Sequence, residues 1–424
     1  MFFETNKLEA NIPLPQEIFI LKQVFSKAGY KLFVVGGSVR DFLMSPDNYD
    51  PKDIDLATNA KPREIESILN KAGIRNFEKG EAFGVWVAHL NGEDFEIATL
   101  RQDGMAGDGR RPDSVNYTDD PQLDHARRDL TMNALFYDIP TNPNQAGHII
   151  DYGNGIEDIK NKKVKVIGDP YERFGEDRLR IPRLVRFHSR FSDKDVDLDQ
   201  RTADAIKYYG NLTKPSQYYT PEKGKFHNIG AVSGERIQQE FVAGLGKAKN
   251  VASYINTYQK LGLIDSVFPN LNVDLSFVSK LGEHGKNPVI VLATLLKNND
   301  SKKVRAALQS LKWPSDTMDE VEYLINMYHS HKNEDPNTVV RLINSTAKNN
   351  RRKALAAYGQ VNNDVDPKIW SHYSQYEPGV FSGEQIAKDY GIQPGPAMGQ
   401  KQKELQLNKY RKSFGDFVKA KDGQ

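Results

Sequence analysis

The chain has 424 residues, 38% hydrophobic and 27% charged, with no cysteine and a formal net charge of +2. Its length calls for about two to four domains or sub-domains, and the missing cysteines exclude disulfides, thiol catalysis and cysteine-ligated zinc or iron–sulfur centres. A mean hydropathy of −0.63 leaves no room for a membrane span, and the near-neutral balance means that a nucleic-acid partner has to meet local basic patches.

In chain order, the N-terminal MFFETNKLEANIPLPQ lacks a basic stretch followed by an apolar one, so a cytoplasmic location is expected. Ile18, Leu21, Val24, Phe25 and Ala28 recur at helical spacing, and Gly29 stands where a C-cap would. Leu32 to Val35 form a short apolar run suited to a buried strand, stopped by Gly36-Gly37. A turn without side chains lets backbone N–H groups approach a phosphate, and Arg40, one helical turn on, adds a fork for the same anion. Asp53 and Asp55 follow, two apart. In an extended segment they share a face while Ile54 points into the core, and paired carboxylates suit Mg²⁺ held together with substrate phosphates.

Pro62, Ile65, Ile68 and Leu69 mark a second helix. Ala82 to Leu90 and Asp94 to Leu100 are β-rich and joined by Asn91-Gly92, a hairpin signal. Glu96 alternates with Phe95 and Ile97, so it can project toward the two aspartates if the hairpin pairs with their strand. RQDGMAGDGRRPDSV, from Arg101 to Val115, is polar and glycine-rich and reads as a mobile loop. Arg127, Arg128 and Asp129 precede an apolar run. From Arg173 to Phe191, Asp177 and Arg180 fall at a spacing that shares a helical face, and Pro182 is expected to kink that helix or end its first turn. Residues 207–230 are turn-rich and carry four tyrosines. Beyond Leu261 the pattern is helical, including Pro288 to Leu296, Val304 to Leu311, Asp316 to His329 and Thr338 to Tyr358, with His284, His329 and His331 expected at the surface.

GGSVRD followed by PKDIDLATNAKP resembles the signature of the class II tRNA nucleotidyltransferases, the CCA-adding enzymes, and of the related bacterial poly(A) polymerases. FEIATLR, HARRDLTMNALFYD, the EDxxR pattern at Glu176, Asp177 and Arg180, and the C-terminal FSGEQIAKDYGIQPGPAMGQK resemble further motifs of that family. The resemblance implies an α+β protein: a nucleotidyltransferase-type mixed-sheet head over residues 1–138, then an elongated all-helical neck (139–232, with an insertion near 207–230), body (233–332) and tail (333–424).

It implies stepwise addition of C, C and A to the tRNA 3′ end from CTP and ATP, with release of pyrophosphate. The alternative within the same superfamily is a poly(A) polymerase or a partial, A-adding enzyme. Asp53 and Asp55 would hold Mg²⁺, and Glu96 would be the third catalytic acid. Gly36, Gly37 and Arg40 would bind the triphosphate; Arg128 would contact the nucleotide, and Asp129 would accept from the ribose 2′-hydroxyl. Asp177 and Arg180 would read the base edge, with Arg183 and Arg186 also at the nucleotide. The 101–115 loop would drive the change from C to A addition, and Lys401, Lys403, Lys409, Arg411 and Lys412 would meet tRNA phosphates. Neither a membrane nor a protein partner is expected.

Overall fold

The computed structural model describes residues 5–51, 53–79, 84–103, 115–194, 196–220, 225–344, 349–362, 364–377 and 381–422. The chain divides into two compact units, Met1–Ser192 with Val196–Val232, and Asp193–Asp195 with Ser233–Gln424.

The first unit is built on an eight-stranded sheet of order β1-β10-β9-β2-β3-β6-β5-β4. Its strands are β1 Asn6–Ala10, β2 Leu32–Val35, β3 Leu56–Thr58, β4 Arg75–Glu78, β5 Val85–Leu90, β6 Glu93–Thr99, β9 Phe136–Asp138 and β10 Gly147–Asp151. Two short strands, β7 Arg101–Asp103 and β8 Val115–Tyr117, pair separately. The expected strand at Leu32 is the inner β2, every residue of which is buried. Such a strand needs the unbroken apolar run LFVV because both its faces are covered. Phe33 and Val35 pack with Ala57, Leu100, Phe136 and Ile150.

Pairing is antiparallel except between β3 and β6, which run parallel with Leu56 beside Ile97. The Asn91-Gly92 hairpin joins β5 to β6 with positive φ at both residues, 53° and 89°, the geometry that makes asparagine–glycine a good two-residue loop. β10 carries the sheet to Asp151, past the expected head boundary at 138, because it pairs on one side with β9 and on the other with the N-terminal β1.

Helices α1 Gln16–Lys27, α2 Gly37–Met44 and α3 Pro62–Lys71 belong to this sheet's connections, and α4 Pro121–Arg127 and α5 Gly155–Lys160 follow. The helix expected from Arg173 to Phe191 is instead two. α6, Pro170–Glu176, ends at Asp177, whose φ of −148° and ψ of 105° are extended, and α7, Arg180–Phe191, begins three residues later. Pro182 lies in the first turn of α7, where its missing N–H leaves no helical bond unmade, so the expected kink is replaced by a break ahead of it. Arg178, 1% exposed, sits in the break and donates to the carbonyls of Asn211, Lys214 and Gly230. Those carbonyls are the feet of a ribbon, β11 Ser216–Thr220 with β12 Lys225–Ile229, which follows α8, Gln200–Tyr209. The tyrosine-rich segment is thus a pinned hairpin.

The second unit is helical. Pro288–Leu296 forms the helix expected there, buried from Val289 onward. Thr338 to Tyr358, expected as one helix, falls in two, Pro336–Asn344 and Asn349–Val361. The three histidines expected at the surface are half-buried and bonded, to Gln360, the Lys297 carbonyl and Tyr373. Among the described residues, no helix is long and apolar enough to cross a membrane.

This unit encloses a cation. The Lys297 side chain is fully buried, with Nζ 2.6 Å from Asp364 and 3.4 Å from Asp274, and 3.8 Å from the centre of the Phe277 ring. Burial pushes both carboxyls up, but hydrogen bonds and the ammonium prevail and hold their pKa values below the ordinary range. Carboxyls depressed on folding stabilise at pH values above their unfolded pKa, and that contribution is lost as pH falls through the folded value. Lys297→Ala, which takes the ammonium from two carboxylates that keep only neutral donors, Ser276 and Asn298 for Asp274 and Tyr328 for Asp364, is expected to lower the unfolding free energy by about 3 kcal/mol at neutral pH and by much less at acid pH, read by denaturant titration at both.

Candidate active site

The site grows from the end of β2. Gly36, at φ +71°, caps α2, and its N–H donates to the Leu135 carbonyl at 3.1 Å. The first-turn N–H groups of α2 are left without helical acceptors, which suits an anion. Arg128 lies over this turn: its Nη1 is 3.7 Å from where a Cβ on Gly36 would stand. Asp124, 1% exposed, aims it, accepting from Arg128 at 2.9 Å and from Arg127 at 2.8 Å. Burial raises the Asp124 pKa, but Arg128 and Arg127 bring it below the usual carboxylate value.

Arg40 is placed differently from the expectation. It is 5% exposed, donates to Asn133 Oδ1 at 2.5 Å and to Asp41 at 2.8 Å, and lies over the Phe187 ring at 5.1 Å. Its fork braces the glycine turn from within and is not presented to solvent, while Arg128 flanks the turn at Gly36.

The acids gather at the start of β3. Val35 N–H donates to the Asp55 carbonyl at 3.0 Å, and Ile54 is buried between its two neighbours. The segment is not extended throughout, since Asp53 has φ +52°, a left-handed conformation that aspartate tolerates better than most residues. The parallel β3–β6 register, carried one residue back, sets Glu96 across from Asp55. Asp55 is raised above its ordinary pKa, first by desolvation, then by the Glu96 charge, with Arg128 opposing and Asp53 adding to the rise. Glu96 forms an ion pair with Lys79. Among the described residues no three Asp, Glu or His side chains converge closely enough to grip one ion, so Asp53 and Asp55 are the candidate pair. An all-oxygen donor set carrying surplus negative charge fits a hard divalent cation.

Asp129 is held by α7. Arg183 donates to its Oδ2 through Nε at 2.9 Å and Nη2 at 2.6 Å, and Leu130 N–H and Asn133 Nδ2 donate to Oδ1 at 2.8 and 3.3 Å. Burial favours its protonated form, but Arg183 and these hydrogen bonds keep its pKa below the usual value. Arg186 stacks on Phe187, its guanidinium 4.5 Å from the ring centre.

Because of the break between α6 and α7, Asp177 and Arg180 do not lie on one helical face. Arg180 N–H donates to the Asp177 carbonyl at 3.1 Å, so they share a tight turn, but the carboxylate on the Arg180 guanidinium is Glu176, at 2.5 Å. Arg173 takes the same Glu176 oxygen at 2.6 Å and donates to the carbonyls of Arg127 and Arg128 at 2.8 Å. Burial and the neighbouring Arg180 pull the Arg173 pKa down to about 10. These bonds tie α6 to the Arg-Arg-Asp segment.

Asp124, Lys79, Asn133 and Arg173 were not singled out from the sequence. The spacing of Asp124 to Arg127 and Arg128, three and four residues, is a local signal for its pairing; the others depend on distant partners. Residues 104–114, most of the loop expected to be mobile, lie outside the described residues.

The Poly A polymerase head domain family matches residues 32–165. A CCA-adding enzyme of Pediococcus pentosaceus is 30% identical over 413 residues, 93% of this chain and 94% of that protein. CCA tRNA nucleotidyltransferase 1, mitochondrial, of Mus musculus is 35% identical over 285 residues; the chain spans only 59% of that relative's length. The fold is also that of solved structures: the Bacillus stearothermophilus CCA-adding enzyme in complex with CTP has a TM-score of 0.63 at 21% identity over 96% of this chain and 99% of that one. The Thermotoga maritima CCA-adding enzyme complexed with tRNA has a TM-score of 0.60 at 18% identity over 98% and 99%.

Proposed function

We propose an activity from one premise: the chain belongs to the family of CCA-adding enzymes, the tRNA nucleotidyltransferases. It adds C, C and A in turn to the 3′ end of tRNA, using CTP and ATP and releasing pyrophosphate. The observation that carries this reading is the β3–β6 register that sets Glu96 across from Asp55, beside a glycine turn overlooked by Arg128.

Nucleotidyltransferases of this family generally use divalent metals, and here Asp53 and Asp55 would hold Mg²⁺. When bound, it supplies charge neutralisation at the phosphates and lowers the pKa of the attacking 3′-hydroxyl. The chain's own residues bind and orient. The glycine turn and the start of α2 take up triphosphate oxygens, and Arg128 adds a charge-assisted donor to them. Asp129, kept ionised by Arg183, accepts from the ribose 2′-hydroxyl. Asp177 and Arg180, joined through the backbone in one tight turn, are the base readers in this proposal: a carboxylate accepting from the amino group and a guanidinium donating to the ring nitrogen suit cytosine and adenine, whereas uracil and guanine present the reverse order. Glu176 and Arg173 set the direction of the Arg180 fork. Arg183 and Arg186 line the approach on α7. Residues 233–332 and 333–424 serve as body and tail, and the exposed Lys403, Lys409, Arg411 and Lys412 of the last helix meet tRNA phosphates.

The test is incorporation of labelled CMP or AMP into tRNA lacking its 3′ end, with pyrophosphate released in step; no incorporation with a divalent ion present overturns the reading. Shortening Gly104 to Gly109 is expected to stall products at CC, checked by product length. Full-length products would remove the loop from the change to ATP.

A further inference from the structure

One side chain bridges the arginine under the glycine turn and the Asp129 carboxylate. Asn133 lies in the single-turn helix Thr131–Asn133 between α4 and β9. Its Oδ1 accepts from Arg40 at 2.5 Å, and its Nδ2 donates to Asp129 Oδ1 at 3.3 Å. The amide has only this orientation available, because a guanidinium only donates and an ionised carboxylate only accepts. Each partner is anchored from its far side. Arg40 pairs with Asp41, which also accepts from Arg190 of α7 at 3.1 Å, and Arg40 Nη2 is 3.5 Å from where a Cβ on Gly37 would stand. Asp129 is held by Arg183, also of α7. Asn133 therefore closes a continuous polar chain, Arg190 to Asp41 to Arg40 to Asn133 to Asp129 to Arg183, that begins and ends on one helix and passes under the glycine turn. The backbone contributes at the same point: the Asn133 carbonyl is 3.6 Å from the Cβ position of Gly36.

We propose that Asn133 is a positioning residue that fixes the ribose acceptor Asp129 relative to the triphosphate-binding turn, and so sets the preference of the enzyme for ribonucleotides over deoxyribonucleotides. A 2′-hydroxyl is recognised only if its acceptor stands at a defined distance from the phosphates that anchor the rest of the nucleotide. Asparagine is the side chain of this length that accepts from an arginine at one corner and donates to a carboxylate at the other. Aspartate keeps the first bond, loses the second and sets two carboxylates side by side. Leucine, of similar size, loses both.

The inference rests on the reading of Asp129 as ribose acceptor, and the experiment separates the two. Steady-state incorporation from ATP and from dATP is measured for the full chain and for Asn133→Asp, Asn133→Leu and Asp129→Ala, with melting temperatures alongside. Asn133→Asp is expected to lower the ATP-to-dATP ratio of kcat/KM by about tenfold or more, with the KM for tRNA unchanged. Asn133→Leu is expected to do the same and also to raise the KM for the triphosphate, because Arg40 loses its acceptor under the turn. If Asp129→Ala relaxes the ratio but Asn133→Asp keeps the wild-type ratio, the positioning role is overturned and the ribose reading stands. If neither substitution moves the ratio, the ribose reading itself fails. A lowered melting temperature with an unchanged ratio assigns Asn133 to the fold alone and also overturns the proposal. Since Asn133→Asp is nearly isosteric, the test survives a leucine variant that folds poorly.

Discussion

Asp55→Asn is expected to lower nucleotide incorporation at least about a thousandfold while leaving the fold as stable as before or more so. The two effects have one cause. Asp55 sits where desolvation and the charges of Glu96 and Asp53 raise its pKa, with Arg128 only partly compensating. A carboxyl whose pKa is raised by folding disfavours the folded state at pH values above its unfolded pKa, and the penalty vanishes at lower pH. Asparagine keeps the shape and removes the charge, so in metal-free buffer near neutral pH the melting temperature of the variant equals or exceeds that of the parent. Added divalent ion reverses the order: it raises the melting temperature of the parent, because a ligand that binds only the folded state stabilises it. The variant, one carboxylate short, gains less. Melting curves with and without Mg²⁺, beside incorporation rates, check both halves. A variant that still incorporates with Mg²⁺ present removes Asp55 from the chemistry.

Arg180→Ala is expected to relax the choice among the four nucleoside triphosphates by about a hundredfold, measured as the ratio of kcat/KM for CTP to that for UTP. On the proposed reading, uracil or guanine would turn a ring N–H toward the Arg180 fork, donor against donor, and removing the guanidinium removes that clash. The structure adds a control. Arg180 shares Glu176 with Arg173, so the variant leaves Glu176 with a partner and α6 still tied to the carbonyls of Arg127 and Arg128. Selectivity is then expected to fall without a matching fall in melting temperature. Arg180→Lys is not expected to restore it, since a point charge cannot reproduce the planar fork. Unchanged selectivity in the alanine variant would move base reading elsewhere.

What was legible in the sequence is what local chemistry decides. The apolar run before Gly36-Gly37 is the inner strand β2, the Asn91-Gly92 pair is a hairpin loop, and the alternation Phe95, Glu96, Ile97 puts Glu96 on the same side as Asp55 once β6 joins β3. Elements whose placement depends on remote partners were misread. A helical spacing from Arg173 to Phe191 is continuous on paper, yet the chain opens at Asp177 to Leu179 because Arg178 turns inward to collect three carbonyls more than 30 positions away in sequence. Arg40 looked like a phosphate ligand by its distance from the glycines, but Asn133, 93 positions on, claims it. The extended reading of Asp53 to Asp55 failed at one dihedral angle, which neighbouring residues do not dictate.

The central claim, that a side-chain edge selects C and A at a carboxylate-lined nucleotidyl-transfer site, is tested most directly by sequencing the products made by the full chain from tRNA lacking its 3′ end, with all four nucleotides and Mg²⁺ supplied. The expected products end in CCA and are no longer. A run of A residues, or a tail containing U or G, would contradict it.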